Sequence, residues 1–246
     1  MAPQKKEEEK MRYLIADLVT EFEPKYESLK KLAAPFAYEG NRETDIRIEM
    51  DDAYIQSLLR KMVKGTAIED AEGLAVSSAF NRRAIRFDTM LVHSSALVLD
   101  GKAYLFSANS GVGKSTHTRL WLKRFGDRVH IMNDDKPVVR ICDYGIVACG
   151  TPFDGGSGIA LNENYPLGAI IFIERGEENA VRVPTAKDVI QRLYFQTART
   201  VGFETAEMML DNFDKLIAGA KFLVLTCNMD ISAAETAYRA IQNLEQ

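Results

Sequence analysis

"KAYLFSANSGVGKSTHTRLWLKRF", residues 102–125, decides how this chain is read. An apolar strand-like run enters a loop with two glycines. The loop opens into a segment with Thr118, Trp121, Leu122 and Phe125 at helical spacing, and Gly126 follows as a stop. A strand that passes into a helix through "SGVGKST" brings backbone amides and the positive end of the helix dipole onto one anion. Gly111 and Gly113 supply conformations that a side chain would obstruct, and Lys114 adds a mobile positive charge for the β- and γ-phosphates. The Ser115 hydroxyl is suited to Mg²⁺. The expected nucleotide-binding residues are therefore Asn109, Ser110, Gly111, Val112, Gly113, Lys114, Ser115 and Thr116. Ala108 stands where the strict phosphate-loop pattern has glycine, a difference that matters only if this residue needs a positive φ. A ligand-free glycine-rich turn with an idle lysine is the competing view, and it leaves the strand-to-helix context unexplained.

Two flanking elements extend the pattern. "TMLVHSSALVL" (89–99) and "KAYLFSA" flank Asp100-Gly101, a residue pair suited to a tight hairpin turn. This puts His93 on the strand beside the one that feeds the loop, as a candidate for proton transfer near neutral pH. Downstream, "RVHIMNDD" is an apolar strand that ends in Asp134 and Asp135. Two adjacent carboxylates can divide labour, one holding or orienting Mg²⁺ and the other accepting a proton from an attacking hydroxyl.

The rest of the chain reads as α/β with an α+β tendency. Its 246 residues, 46% hydrophobic and 27% charged, fit one large domain or a core with an appendage. Residues 1–10 read as a charged tail, 11–88 as a mixed α/β region packed on the core, and 89–246 as the nucleotide-binding core. In the first third, "YLIADLV", "DIRIEM" and "RAIRF" read as strands and "AYIQSLLRKMV" as a helix. Later, "PVVRI", "GIVAC", "LGAIIFIER" and "KFLVLTC" read as strands. "AKDVIQRLYFQTA", "AEMMLDNFDKLIAGA" and "ISAAETAYRAIQNL" read as helices. A hairpin before the loop implies a mixed sheet rather than uniform βαβ alternation. The net charge of −4 argues against a nucleic-acid surface. No run approaches the ~20 apolar residues of a membrane helix, and the N-terminus has no signal-peptide pattern, so a cytoplasmic protein is expected. The three cysteines, Cys142, Cys149 and Cys227, have neither metal spacing nor a disulfide framework and read as reduced thiols.

Taken together, His93, "ANSGVGKS" and "NDD" resemble, in order and spacing, the HPr kinase/phosphorylase family, whose nucleotide-binding core is related to that of ATP-dependent phosphoenolpyruvate carboxykinase. The resemblance is strong over about 89–140 and looser to about 175. It implies a mixed-sheet core of that kind, with ATP and Mg²⁺ as cofactors. Lys114 would bind phosphate, Ser115 and Asp134 would attend the metal, Asp135 would be the proton acceptor and His93 would assist it. The chain departs from the family at Ala108 and at Thr116, where the bacterial enzymes usually carry an acid. It also has "GTPFDGGSG" in place of the family's "LEIRG" segment. There Asp154 is a candidate acid or a turn residue, and Arg192 and Arg199 are the candidates for a later arginine.

The expected function is phosphoryl transfer from ATP to a hydroxyl, on a protein or peptide serine or on a small-molecule alcohol, with a homo-oligomer compatible. A non-catalytic ATP/ADP-binding regulator and an NTP hydrolase are the alternatives. The acidic pair disfavours the first, and the lack of an Asn-Lys-x-Asp guanine motif disfavours a GTPase.

Overall fold

The computed structural model describes residues 11–109, 111–197 and 203–244. The chain opens with strands β1 (Arg12–Ile15) and β2 (Leu18–Glu21), helix α1 (Glu27–Ala33), the short β3 (Ile46–Arg47), and helices α2 (Asp52–Leu59) and α3 (Ile68–Ala84). Strands β4 (Thr89–Leu91), β5 (Ser94–Leu99) and β6 (Lys102–Ser107) lead into α4 (Lys114–Phe125). Then follow β7 (Val129–Asn133), β8 (Val138–Cys142), β9 (Gly145–Cys149), β10 (Asn164–Arg175) and β11 (Ala180–Arg182). Helices α5 (Ala186–Thr197) and α6 (Phe203–Gly219), strand β12 (Phe222–Cys227) and helix α7 (Ser232–Asn243) complete the fold. It is a mixed α/β architecture with a mixed main sheet. Among the described residues no helix is long and apolar enough to cross a membrane.

The main sheet has nine strands and curls about β10. The first residues of β10 pair antiparallel with β9, extending the β4-β8-β9 sheet. The remainder runs parallel between β6 and β12, with β5 and β7 beyond β6. Because β5 is antiparallel to both β6 and β7, those two strands point the same way, and their carboxyl ends lie at one end of the sheet. Alternate residues separate two cores. Ala96, Val98, Ala103 and Leu105 pack under Leu193 of α5 and Phe213 of α6. Leu97, Tyr104 and Phe106 pack under Trp121 of α4 and Ala237 of α7.

Several sequence expectations need correction in the first third. "YLIADLV" is a hairpin rather than one strand: Ala16 and Asp17 both take positive φ (50° and 61°), and Arg140 of β8 binds the Ala16 carbonyl and the Asp17 carboxylate. Only Ile46–Arg47 of "DIRIEM" forms a strand. "RAIRF" is the end of α3 and a 3₁₀ turn, because α3 continues through Ala84 and its packing overrides the local alternation. "TMLVHSSALVL" breaks at Val92-His93, where the chain leaves the β4-β8-β9 sheet and enters β5. Asp100-Gly101 forms the expected turn, with both φ values positive (50° and 77°).

Residues 11–88 share a core with the main sheet. Tyr13, Ile15, Phe36 and Phe80 cluster with Leu91, Val138, Cys149 and Phe153. Helix α3 is buried on most sides, and even its Glu72 is only 1% exposed. The Glu72 carboxylate accepts from the Lys25 and Tyr26 amides at the start of α1. Cys142, Cys149 and Cys227 are free thiols, and burial pushes the Cys149 thiol up to about 12.

Beneath the loop, His117 of α4 is buried and accepts from the Trp121 indole at 2.9 Å. Burial lowers its pKa from 6.5 to about 4. The unfolded chain therefore binds a proton that the native state refuses between those values. Stability is full above about pH 6.5 and falls as pH drops toward 4, by up to about 3 kcal/mol. Urea unfolding at pH 7 and near pH 4.5 measures this. His117→Gln is expected to remove that share of the pH dependence; an unchanged difference between the two pH values counts against it.

Candidate active site

The loop with Gly111 and Gly113 joins β6 to α4. Ala108 is buried against the core, and the only described non-glycine residues with positive φ are Ala16, Asp17, Asp88 and Asp100. Its methyl therefore strains nothing, and the departure from glycine is harmless. Gly111 and Gly113 do adopt positive φ, at 79° and 124°. Helix α4 has Gly113 at its N-cap, no side-chain cap and no acidic residue in its first turn, so its leading amides lack side-chain acceptors and face no local negative charge. Val112 packs its side chain toward the core and contributes only backbone to the loop. Arg175, at the carboxyl end of β10, donates to the Gly111 and Val112 carbonyls and braces the loop. Asn109 accepts from Gln196 of α5 at 3.2 Å. Thr116 is exposed, and Ser110 lies outside the described residues.

The sheet polarity gathers the other expected residues at the same end. Lys114 Nζ lies 3.1 Å from His93 Nε2 and 3.3 Å from the Ala108 carbonyl. His93 Nε2 in turn lies 3.1 Å from Asp135 Oδ1. His93 Nδ1 is 2.8 Å from Gln196 Oε1, so that nitrogen carries the donated proton and Nε2 is free to accept from Lys114. When Nε2 is also protonated it can donate to Asp135 instead. His93 thus sits between cation and carboxylate, on the two-residue link between β4 and β5.

Asp134 faces Ser115 Oγ at 3.3–3.4 Å and also accepts from Ser95 of β5. This gives one carboxylate and one hydroxyl in contact beside the loop. Such an oxygen pair fits Mg²⁺, which takes one or two carboxylates and completes its shell with waters and substrate phosphates. Among the described residues no group of three or more His, Cys, Asp or Glu side chains is gathered into an all-protein cage.

Burial works to raise the Asp135 carboxyl, but bonding to His93 and the Lys136 ammonium outweigh it and hold the pKa well below the ordinary carboxylate range. Burial lowers Lys114 from the ordinary lysine value, and Asp135 and Asp134 only partly restore it.

Three contributors were not legible beforehand. Asn133 is fully buried; its carbonyl oxygen accepts from the Asp135 and Lys136 amides and its NH₂ donates to the Thr151 and Phe153 carbonyls. It fixes the acidic turn onto "GTPF". Gln196 sets the His93 tautomer. Gly155 comes so close that a Cβ there would lie 3.0 Å from Asp135 Cγ. The divergent segment "GTPFDGGSG" is thus the backing of Asp135. Asp154 behaves as a turn residue, its carboxylate accepting from the Gly158 amide at 2.5 Å. Arg192 pairs with Glu174 and lies over Phe172, and Arg199 lies outside the described residues.

Two cavities meet at Asn109, Phe195 and Gln196. One, of about 510 Å³, flanks the loop beside Val112, Arg175 and Arg192. The other, of about 570 Å³, opens onto His93, Asp135 and Lys136 and is walled by α3.

No family model and no curated protein matches the chain. Among solved structures it is similar to the HPr(Ser) kinase/phosphatase from Coxiella burnetii, at 12% identity and a TM-score of 0.39, over 63% of this chain and 99% of that one. What the site can do is read from its own residues.

Asn133→Ala removes bonds to two buried amides and two carbonyls behind the acidic turn. It is expected to cost about 2–4 kcal/mol in urea unfolding. A loss under about 0.5 kcal/mol would show that the turn holds itself.

Proposed function

We propose that the chain is a Mg²⁺- and ATP-dependent phosphotransferase that phosphorylates a hydroxyl. The observation that carries this reading is the chain of contacts from Lys114 through His93 to Asp135, at 3.1 Å each, beside an uncapped helix N-terminus. An anion-binding loop alone serves binding or hydrolysis equally well. A carboxylate placed one side chain away from the phosphate-facing lysine, and opening onto a separate cavity, suits transfer to an acceptor.

In this reading the leading amides of α4 and Lys114 hold the β- and γ-phosphates. Ser115 and Asp134 would hold Mg²⁺, which when bound neutralises charge on the phosphate oxygens. Lys114 exchanges its bonds to His93 and the Ala108 carbonyl for phosphate oxygens. Asp135, ionised through the neutral range, orients the acceptor hydroxyl and takes its proton. His93, fixed by Gln196, stands beside Asp135 to share that proton. Catalysis is mainly positioning and electrostatics, as loose phosphoryl-transfer transition states demand.

Lys114→Ala is expected to weaken Mg-ATP binding about 10- to 100-fold by calorimetry, the range for losing a charge-assisted contact. Asp135→Asn is expected to bind Mg-ATP within a few-fold of wild type yet to lose about 10²–10⁴ in phosphate transfer. Nucleotide binding without transfer in the wild type would instead favour the regulator, and phosphate release without an acceptor product the hydrolase.

The lowered Lys114 pKa adds a pH signature. Its charge is lost below the ordinary lysine range, so ATP affinity should decline as pH rises toward 10, and Lys114→Arg should flatten the decline. Equal pH profiles for wild type and Lys114→Arg would mean that Lys114 does not meet the phosphates.

A further inference from the structure

We propose that the acceptor is a small, uncharged alcohol with an apolar body, seated in the cavity between α3 and the His93–Asp135 pair. This deepens the phosphotransferase reading and rests on it. At about 570 Å³ the cavity is of the size that encloses a small organic ligand. Leu74, Leu91 and Phe195 give it an apolar lining, with Ser77 and Ser78 of α3 alongside.

Among the described residues the charge lining the cavity is confined to one corner. Among the described residues, His93, Asp135 and Lys136 are the only charged or titratable side chains lining it, and they are engaged with one another, Lys136 binding the Asp135 carboxylate and the Asp154 carbonyl. Among the described residues no spare charge lines the cavity for an ionic acceptor. The Ser77 hydroxyl donates within α3 to the Leu74 carbonyl. Asn81 has its amide committed to the Thr197 carbonyl and its oxygen to the Leu91 amide. Ser78, by contrast, has no side-chain hydrogen bond among the described residues, which leaves it able to meet a neutral polar group.

Depth argues in the same direction. The Asp135 side chain is only 17% exposed and lies behind this cavity. A seryl hydroxyl stands one carbon from its main chain, so a folded protein acceptor would have to bring its backbone, with unpaired amides and carbonyls, into an apolar recess. A small alcohol incurs no such cost. In the step itself the acceptor oxygen bonds to the γ-phosphorus and its proton passes to Asp135. The bond from the γ-phosphorus to the β,γ-bridging oxygen breaks, and its electron pair leaves with ADP.

The test uses the full chain with Mg²⁺ and γ-phosphate-labelled ATP. Two pools from one cell extract are offered separately, a deproteinised small-molecule ultrafiltrate and the macromolecular retentate, with Lys114→Ala as background. Label is expected in an organic phosphate from the ultrafiltrate. Ser78→Trp and Leu74→Trp, which fill the cavity from α3, are expected to cut that product by at least about tenfold while keeping Mg-ATP binding; the variant that retains ATP binding and the wild-type melting temperature decides. Label in the retentate alone, or small-molecule labelling untouched by a folded cavity-filling variant, overturns the proposal and leaves the kinase reading standing. Label in neither pool overturns the kinase reading itself.

Discussion

Strand β10 has to belong to two sheets, and the molecule is organised around how it does so. Its 12 residues begin beside β9 and finish between β6 and β12. The passage is made at Gly168, where the register with β6 slips between Leu167 and Ala169. A Cβ at Gly168 would lie 2.4 Å from the Tyr104 ring, so the close approach of β10 to β6 needs glycine there. One strand therefore holds the β6-β5-β7 sheet, which leads into the Gly111–Gly113 loop, and the β4-β8-β9 sheet in fixed relation. The first presents the loop, the second carries Leu91 and backs the shared core with α3, and Arg175 at the end of β10 grips the loop directly.

Within that frame the site is a compromise between desolvation and charge pairing. Lys114 is partly buried, and desolvation destabilises its cationic form. Asp135 is also buried, yet two partners keep it ionised below the ordinary range. Among the described residues no buried side-chain polar atom lacks a partner. In the proposed function a bound triphosphate would draw Lys114 away from His93 and leave the imidazole beside Asp135.

The sequence was most readable where its meaning is local. The strand-loop-helix around Lys114, the Asp100-Gly101 turn and the acidic pair after β7 are specified by neighbours in the chain. Ala108 needed the structure only to show that its φ is ordinary. Residues 11–88 were harder for physical reasons. The turn at Ala16-Asp17 carries no glycine and is held by Arg140, more than a hundred residues away. Helix α3 shows little amphipathic pattern because it is buried on most of its circumference, with Glu72 and Asn81 satisfied by partners outside the helix and Ser77 by the Leu74 carbonyl within it. Asn133 and Gln196 are likewise long-range: an asparagine before two aspartates reveals nothing of Thr151 and Phe153, and Gln196 meets His93 only through the packing of α5.

The low pKa of Asp135 bears on how such a site works. A carboxylate so stabilised is a weak base, and a mechanism that required full removal of the proton before attack would be poorly served by it. A loose transition state makes little demand of that kind, because the nucleophile bonds late and its proton becomes acidic only as the new P–O bond forms. What the site must then provide is a fixed, ionised acceptor in line with the hydroxyl. Asn133 clamps the turn, Gly155 lets the backbone lie close against Asp135, Lys136 binds one carboxylate oxygen and His93 lies 3.1 Å from the other. The divergent segment "GTPFDGGSG" thus backs the carboxylate, and because that carboxylate opens onto the cavity walled by α3, the proposed phosphotransfer places the N-terminal region on the acceptor side.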